Sequence, residues 1–522
     1  MEAQPERPRD SFGTKFGFIL AAIGSAIGLG NIWRYPYIAY ENGGGAFLLP
    51  YLIAVVTAGI PVLILEYSLG NRWRSAAPFS YRALSRRWEW LGWWQIAVSF
   101  MITTYYMVII GWVLSYTYFS IGTQWGSDPD GFFNNEYLGL SEGFWDIGGI
   151  QWGVLLTLLI AWGINYWLLR RGVSRGIEVA AKILIPTLAV MILIVTIRGL
   201  TLPGAVEGLN TLLTPDFAEL LNPAVWVAAY GQVFFSIGVA FSIMIAYASY
   251  LSRRSDLANS AFIVALSNTG FEFMAALGIF SVLGFLAVQQ SVSVDEVATE
   301  GIGLAFVAFP QIINELPALN SLFGVLFFGA LFFAGLTSSL SILECCISGV
   351  KDKFNLSRAG AVNWVCGPAF VVSLLYVTNG GLFYLDVIDH FMNNYGLVLS
   401  ALFQVVLVAW VVRRLRDQQA YVNERSYIRA GTWWIVSLAV ITPVLLIVVT
   451  AFNLYEELTV AYGDYPVSGL LVFGWGVTIA VIVAAFVMQR VRSREAPPED
   501  AESIGTSGAS QGSVQATERE DT

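Results

Sequence analysis

The first stretch of this chain able to do chemistry is Gly24-Ser25-Ala26-Ile27-Gly28-Leu29-Gly30-Asn31. Rich in glycine and ending on an amide, it is poor helix material. Yet it lies inside an apolar run long enough to cross a membrane. Its spacing is wrong for a G-x-G-x-x-G dinucleotide loop, and no strand precedes it. Small residues can serve close helix packing. That leaves Asn31 unexplained, and also Arg34, an ionisable residue at membrane depth. A second interruption, Phe234-Phe235-Ser236-Ile237-Gly238-Val239-Ala240-Phe241-Ser242, follows five spans later. Paired breaks in two halves of a chain point to inverted repeats, where half-helix N-termini hold anionic groups and unwound carbonyls coordinate Na⁺. Glu272, four residues after Asn268 and so one helical turn away, adds a carboxylate inside a span.

The elements that must carry these residues follow from composition. The chain has 522 residues, 56% hydrophobic and 12% charged, against about 25% charged for soluble proteins. The composition points to a polytopic membrane protein, and the expected fold class is all-α integral membrane. Twelve apolar runs are long enough to span. The predicted first and sixth are 12–36 and 224–250. One set of connections is basic: Arg72 to Arg87, Arg170 to Arg175, Arg253-Arg254, Lys351 to Arg358 and Arg413 to Arg429. The alternate set is acidic: Asp128 to Asp146, Glu207 to Glu219, Asp295 to Glu315 and Glu456 to Asp464. By the positive-inside rule both termini are expected in the cytoplasm, in a multi-pass protein of the cell membrane. A cleavable secretory signal is not expected. The reading divides the chain into a cytoplasmic arm (1–10), spans one to five (11–199), spans six to ten (200–412), spans eleven and twelve (413–491) and a disordered acidic tail (492–522).

Several function classes drop out. A net charge of −9 argues against a nucleic-acid partner. Cys345, Cys346 and Cys366 lack zinc-ligand spacing and read as small buried hydrophobes. The single histidine, His390, cannot build a histidine-based metal site. With no nucleophile–base pair either, an enzyme is not expected. Arginine outnumbers lysine on an acidic chain, a hint of a prokaryotic, salt-loving or GC-rich source.

Gly24 to Pro36, continuing through Glu41-Asn42-Gly43-Gly44-Gly45-Ala46-Phe47, resembles the signature of the neurotransmitter:sodium symporters. So do Gly231-Gln232-Val233-Phe234-Phe235-Ser236 and Phe333-Ala334-Gly335-Leu336-Thr337-Ser338-Ser339. The likeness runs from about Arg9 to Val412 and is greatest for the prokaryotic amino-acid transporters of the LeuT type. It implies the LeuT-type fold, with twelve transmembrane helices, a 5+5 inverted repeat and unwound first and sixth helices.

The resemblance also implies site residues. A first sodium would take the Ala26 carbonyl, Asn31, Ser236 and Asn268, completed by the substrate carboxylate. A second would take carbonyls of Gly24, Ile27 and Ala334 with the hydroxyls of Thr337 and Ser338. These are uncharged oxygen donors, as a hard cation prefers. The substrate would lie against Ala26, Gly28, Leu29, Gly30, Ser236 and Ser338. The Leu29 and Gly30 amides would hold its carboxylate, with the Tyr106 hydroxyl beside them and Phe235 as a lid. Ile102, Gly238, Phe241, Ser242 and Ile342 would shape the side-chain cavity. Gly28 stands where amine transporters of the family carry aspartate, so a neutral amino acid is the expected substrate. Glu272 stands where chloride-dependent relatives carry serine, so a built-in carboxylate would replace chloride. Arg34 with Asp389 would form an outer gate, and Arg9 with Asp352 an inner one. Gly176 and Pro186 match the family's G-x9-P spacing. The expected activity is sodium-coupled symport by alternating access, with a non-transporting amino-acid sensor on the same scaffold as the alternative. Sodium ions, an amino acid and membrane lipid are the expected partners, and a homodimer stays open.

Overall fold

The computed structural model describes residues 9–298 and 301–493. The acidic tail from 494 onward, most of the N-terminal arm, and Glu300 lie outside the described residues. Among those described there are helices and isolated bridges but no strand. In a membrane every backbone polar group must find an internal partner, and helices provide one within each segment.

Among the described residues, ten helices are long and apolar enough to cross a membrane. In chain order they are Gly45–Trp73 (span two), Arg86–Phe119 (three), Trp152–Arg170 (four), Val173–Leu200 (five), Leu257–Gln290 (seven), Asn320–Phe354 (eight), Arg358–Val377 (nine), Gly381–Val411 (ten), Thr432–Asp464 (eleven) and Val467–Arg490 (twelve). A bent pair, Lys15–Ala26 with Leu29–Glu41, makes an eleventh (span one), its halves meeting at 59°. Where the sequence places span six there are two shorter helices, Pro223–Ile237 and Ile243–Ser249. Neither is long enough to span alone, because the break falls inside the segment. Spans two, three, seven and eight are mostly buried inside the protein, whereas spans eleven and twelve are largely exposed on their flanks. The broken segments therefore sit within a sheath of whole helices.

The first break follows from its residues. The helix ends at Ala26, and Ile27 turns extended (φ −74°, ψ 96°). Gly28 is extended too, and the helix restarts at Leu29. Asn31 caps its own half: its side-chain oxygen accepts from the Gly28 N–H at 2.8 Å, closing one of the donors that any helix start leaves open. The second break is more strained. Gly238 is left-handed (φ 68°), and so are Ala240 (66°) and Ser242 (63°). Left-handed alanine and serine cost roughly 1–3 kcal/mol each and persist only where neighbours hold them. Spans two and three do so. Glu66 accepts from the Ala240 N–H at 2.7 Å, Ser99 donates to the Phe241 carbonyl at 2.9 Å, and Ser242 donates to Gln95 at 2.9 Å.

Candidate functional site

The two breaks face each other across a cavity of about 630 Å³. Its floor comprises Ser25, Ala26, Gly28, Leu29, Gly30 and Asn31 from span one and Phe235, Ser236, Gly238 and Phe241 from the second break. Ile102 and Tyr106 of span three and Ser338 and Ile342 of span eight complete it. From there the cavity runs past Arg34 and Asp389 to Asp130, Gly301 and Tyr462, all on the side of the acidic connections. Of these residues the resemblance named all but Ser25, with Asn31 given to a sodium; Tyr105, Ile109 and Ile243 also line the cavity and were not named. Ser242 is the exception among its pocket residues: its hydroxyl turns toward Gln95 and it does not line the cavity.

Asn31, Asn268 and Ser236 are brought together and buried. Asn31 donates to the Asn268 oxygen at 2.8 Å, and Asn268 donates to the Ser236 hydroxyl at 2.9 Å. Behind them, Glu272 is fully buried. It accepts from the Tyr51 hydroxyl and, at 2.8 Å, from Gln232. No cation pairs with it among the described residues. A lone carboxylate with two neutral donors is expensive to hold in an apolar interior, and a cation one helical turn away would offset that cost.

The second cluster lies across the first break. The Ser338 hydroxyl is 3.2 Å from the Ile27 carbonyl, 3.3 Å from that of Gly24 and 3.4 Å from that of Ser25. One hydroxyl carries one hydrogen, so it satisfies one of the three carbonyls. Thr337 donates back to its own helix, at 3.0 Å from both the Phe333 and Ala334 carbonyls, leaving its lone pairs outward. Gly24 lies so close that a Cβ there would come within 3.2 Å of Thr337 Cβ. Surplus oxygen acceptors around one point, with no formal charge, fit a monovalent hard cation.

For the substrate end, the Leu29 N–H points at the Tyr106 hydroxyl, 3.5 Å away. Phe235 closes over Gly30 so tightly that a Cβ there would fall 2.4 Å from the ring. A Cβ at Gly28 would meet Ser338 Oγ at 3.2 Å and the Tyr106 hydroxyl at 3.4 Å. Both glycines thus keep backbone accessible from the cavity.

The gates differ. Arg9 grips Asp352 with one nitrogen at 2.9 and 3.0 Å from the two carboxylate oxygens, and also donates to Ser249 and Ser348. Its guanidinium lies over the Tyr250 ring. Arg34 instead sits over the Phe235 ring, 4.9 Å from its centroid, while Asp389 accepts from Asn393 at 2.8 Å. No ion pair joins Arg34 and Asp389 among the described residues.

The sequence model of the Sodium:neurotransmitter symporter family matches residues 9–128 and 123–495. The chain belongs to that family. An uncharacterized sodium-dependent transporter of Methanocaldococcus jannaschii is 41% identical over 487 residues, covering 93% of this chain and 98% of the relative. The sodium- and chloride-dependent creatine transporter 1 of Bos taurus is 31% identical, covering 91% and 81%. The sodium- and chloride-dependent GABA transporter 2 of Homo sapiens is 29% identical, covering 94% and 88%. The chain is therefore a sodium-dependent, multi-pass membrane transporter with the family's LeuT-type fold.

Family likeness had pointed to the residues that line the break, but not to those that hold it. Glu66, Gln95 and Gln404 form one buried chain: Gln404 donates to Glu66 at 3.0 Å, and Gln95 donates to Gln404 at 2.8 Å. The available signal was a single acid within an apolar span. On the basic side, Arg358 forks onto the buried Glu344 at 2.7 and 2.6 Å, and the Tyr250 hydroxyl joins it at 2.6 Å. Their signal was likewise only a charge inside span eight.

Proposed function

We propose that this symporter carries a neutral amino acid, drawn by two sodium ions, through alternating access and without chloride. The observation that carries the reading is the cavity floor. Around the two breaks it offers backbone amides, a tyrosine hydroxyl and apolar walls, and no charged side chain. The cavity's charged residues, Arg34, Asp130, Asp386 and Asp389, lie toward the acidic loops. An amino acid's carboxylate would meet the Leu29 and Gly30 amides and the Tyr106 hydroxyl. Its oxygens would also complete the cation shell begun by Ala26, Asn31, Ser236 and Asn268. Coupling is then direct, since neither ligand's shell is complete without the other. The creatine and GABA carried by two relatives are carboxylates as well.

Gly24, Ile27, Ala334, Thr337 and Ser338 would hold the second sodium. Each charge driven inward by 100 mV gains about 2.3 kcal/mol. Two charges thus sustain roughly a 10³-fold gradient, at about 1.36 kcal/mol per decade. In place of chloride, Glu272 would supply the negative charge beside the first sodium.

Two measurements test this. A binding screen of the natural amino acids, with and without Na⁺, should find Na⁺-dependent binding of at least one neutral member; none at all would sink the reading. Glu272→Ser should make uptake depend on chloride by about tenfold or more, as expected for coupling of 1–3 kcal/mol between neighbouring ions. Uptake of that variant at the parental rate and indifferent to chloride would overturn the role of Glu272. Counterflow in proteoliposomes separates a carrier from a sensor, which binds without exchanging.

A further inference from the structure

Glu178, a buried acid on the basic side, belongs to neither expected gate pair. It opens the regular part of span five and is 2% exposed. Its carboxylate accepts from the Gly13 N–H at 2.6 Å and from the Thr14 hydroxyl at 2.8 Å. Thr14 is the N-cap of span one and in turn accepts from the Gly17 N–H at 2.9 Å. Gly17 is bare for a reason: a Cβ there would fall 2.2 Å from a Glu178 oxygen. The first turn of span one thus rests on a carboxylate supplied by span five. That turn ends in open N–H donors and the positive end of the helix dipole, where an anion is stabilising. Lys182, one turn along span five, donates to the same carboxylate at 2.7 Å.

Span five is irregular where it carries Glu178. Gly172 has a positive φ (84°), and residues Val173–Ile177 form a π turn. Pro186 sits inside the helix and has no N–H for the Lys182 carbonyl. Next to that proline, Ile185 meets span one at its break: a Cβ on Gly24 would come within 2.6 Å of Ile185 Cδ1. Span five therefore holds both ends of the first half of span one, at Glu178 and at Ile185.

We infer that Glu178 is a second latch on the basic side, a positioning residue that ties release of the first half of span one to local unwinding of span five between Gly176 and Pro186. It acts beside the Arg9–Asp352 pair and through a different element, since Asp352 belongs to span eight. The inference rests on the alternating-access reading. When span five loosens, the carboxylate withdraws from Gly13 and Thr14 as Ile185 leaves Gly24. The seat of the half-helix and the wall beside the second sodium's oxygens then open together.

The test uses the full chain in detergent, with Ala22→Cys as reporter. Ala22 is wholly buried in the half-helix, and the natural cysteines are buried too. Labelling by a water-soluble thiol reagent then reports opening, and it does not require the substrate to be known. In the reporter chain Na⁺ should slow labelling. Adding Glu178→Ala should speed it about tenfold or more, the effect of losing hydrogen bonds to a charged acceptor. Glu178→Gln, which can still accept from Gly13 and Thr14, should restore most of the protection. Thr14→Val, which leaves span five intact, should speed labelling by a smaller factor. Pro186→Ala restores a helix donor and should slow labelling, and that slowing should vanish in the Glu178→Ala background. A Na⁺-sensitive reporter whose rate is unmoved by Glu178→Ala and Thr14→Val overturns the latch alone. So does a Pro186→Ala effect that persists in full without Glu178. Labelling that ignores Na⁺ in every chain overturns the alternating-access reading, and the latch with it.

Discussion

The two ends of the cavity use the same kind of charge pair in opposite conditions. On the basic side Arg9 and Asp352 touch directly, and Ser249, Ser348 and the Ala76 N–H (2.8 Å from Asp352) fill the remaining valences. On the acidic side Arg34 rests on the Phe235 ring and Asp389 on Asn393. One pair is made and the other unmade, and the cavity runs from the breaks toward the acidic side; on the alternating-access reading this is a conformation closed to the basic side and open to the acidic one. A single element links them, since span one carries Arg34 and follows directly from the arm that bears Arg9. The break between its halves lets one end stay anchored while the other moves.

Arg9→Ala should have the largest effect. Removing one member of a mostly buried, fully bonded pair leaves Asp352 uncompensated, at a cost of about 3 kcal/mol. Sodium-dependent uptake at matched membrane abundance should fall roughly a hundredfold, at about 1.36 kcal/mol per decade. A chain that kept half its uptake would show that the pair does not hold the basic side.

A smaller loss is expected from Gly30→Ala, which sharpens the comparison at the other end. The added methyl would sit 2.4 Å from the Phe235 ring and push it off its seat under Arg34. Overpacking of this kind costs about 1–3 kcal/mol, so apparent substrate affinity should weaken about tenfold while sodium-dependent thermal protection persists. Unchanged affinity would mean that the ring's position is immaterial.

These two variants also mark what could be read from the chain. The breaks were legible because glycine and asparagine are out of place in an apolar run, and the pocket residues because family motifs surround them. The supports were not. Glu66 and Gln95 look like any polar residue in a buried span, and only the left-handed backbone at Ala240 and Ser242 shows what they hold. Glu178 follows Arg175 by three positions and reads as part of a charged membrane flank. Its bonds reach 164 and 165 residues back along the chain, a pairing that no local pattern encodes. The count of twelve spans met its difficulty at the sixth, where the same glycine that marks the break also divides the segment into helices too short to qualify.

Asp389→Asn should do less. The charge has no ionic partner among the described residues in this conformation, so binding of Na⁺ and substrate to the open form should stay within about twofold. The cost falls on closure, where a partly exposed pair contributes up to about 1 kcal/mol, or roughly a fivefold slower uptake. A variant that lost binding in proportion to uptake would place Asp389 in the pocket and not in the gate.

The smallest effect concerns pH on the closed side. Burial alone would push the Asp10 carboxyl up. Lys351 at 2.8 Å and Arg358 at 3.6 Å outweigh this and hold it below its ordinary value of 3.8. An acid depressed in the folded state stabilises that state fully above its unfolded pKa, and the contribution is lost only as pH falls through the lower folded value. The window therefore lies below about pH 4. Between pH 8 and 5 Asp10 stays ionised and its bridge to Lys351 intact, so Asp10→Asn should lower uptake by about the same factor, roughly twofold for an ion pair of this exposure, at every pH in that range. A ratio of mutant to parental uptake that changed between pH 8 and 5 would mean that Asp10 titrates there. The closed side would then be held in part by a proton-sensitive contact.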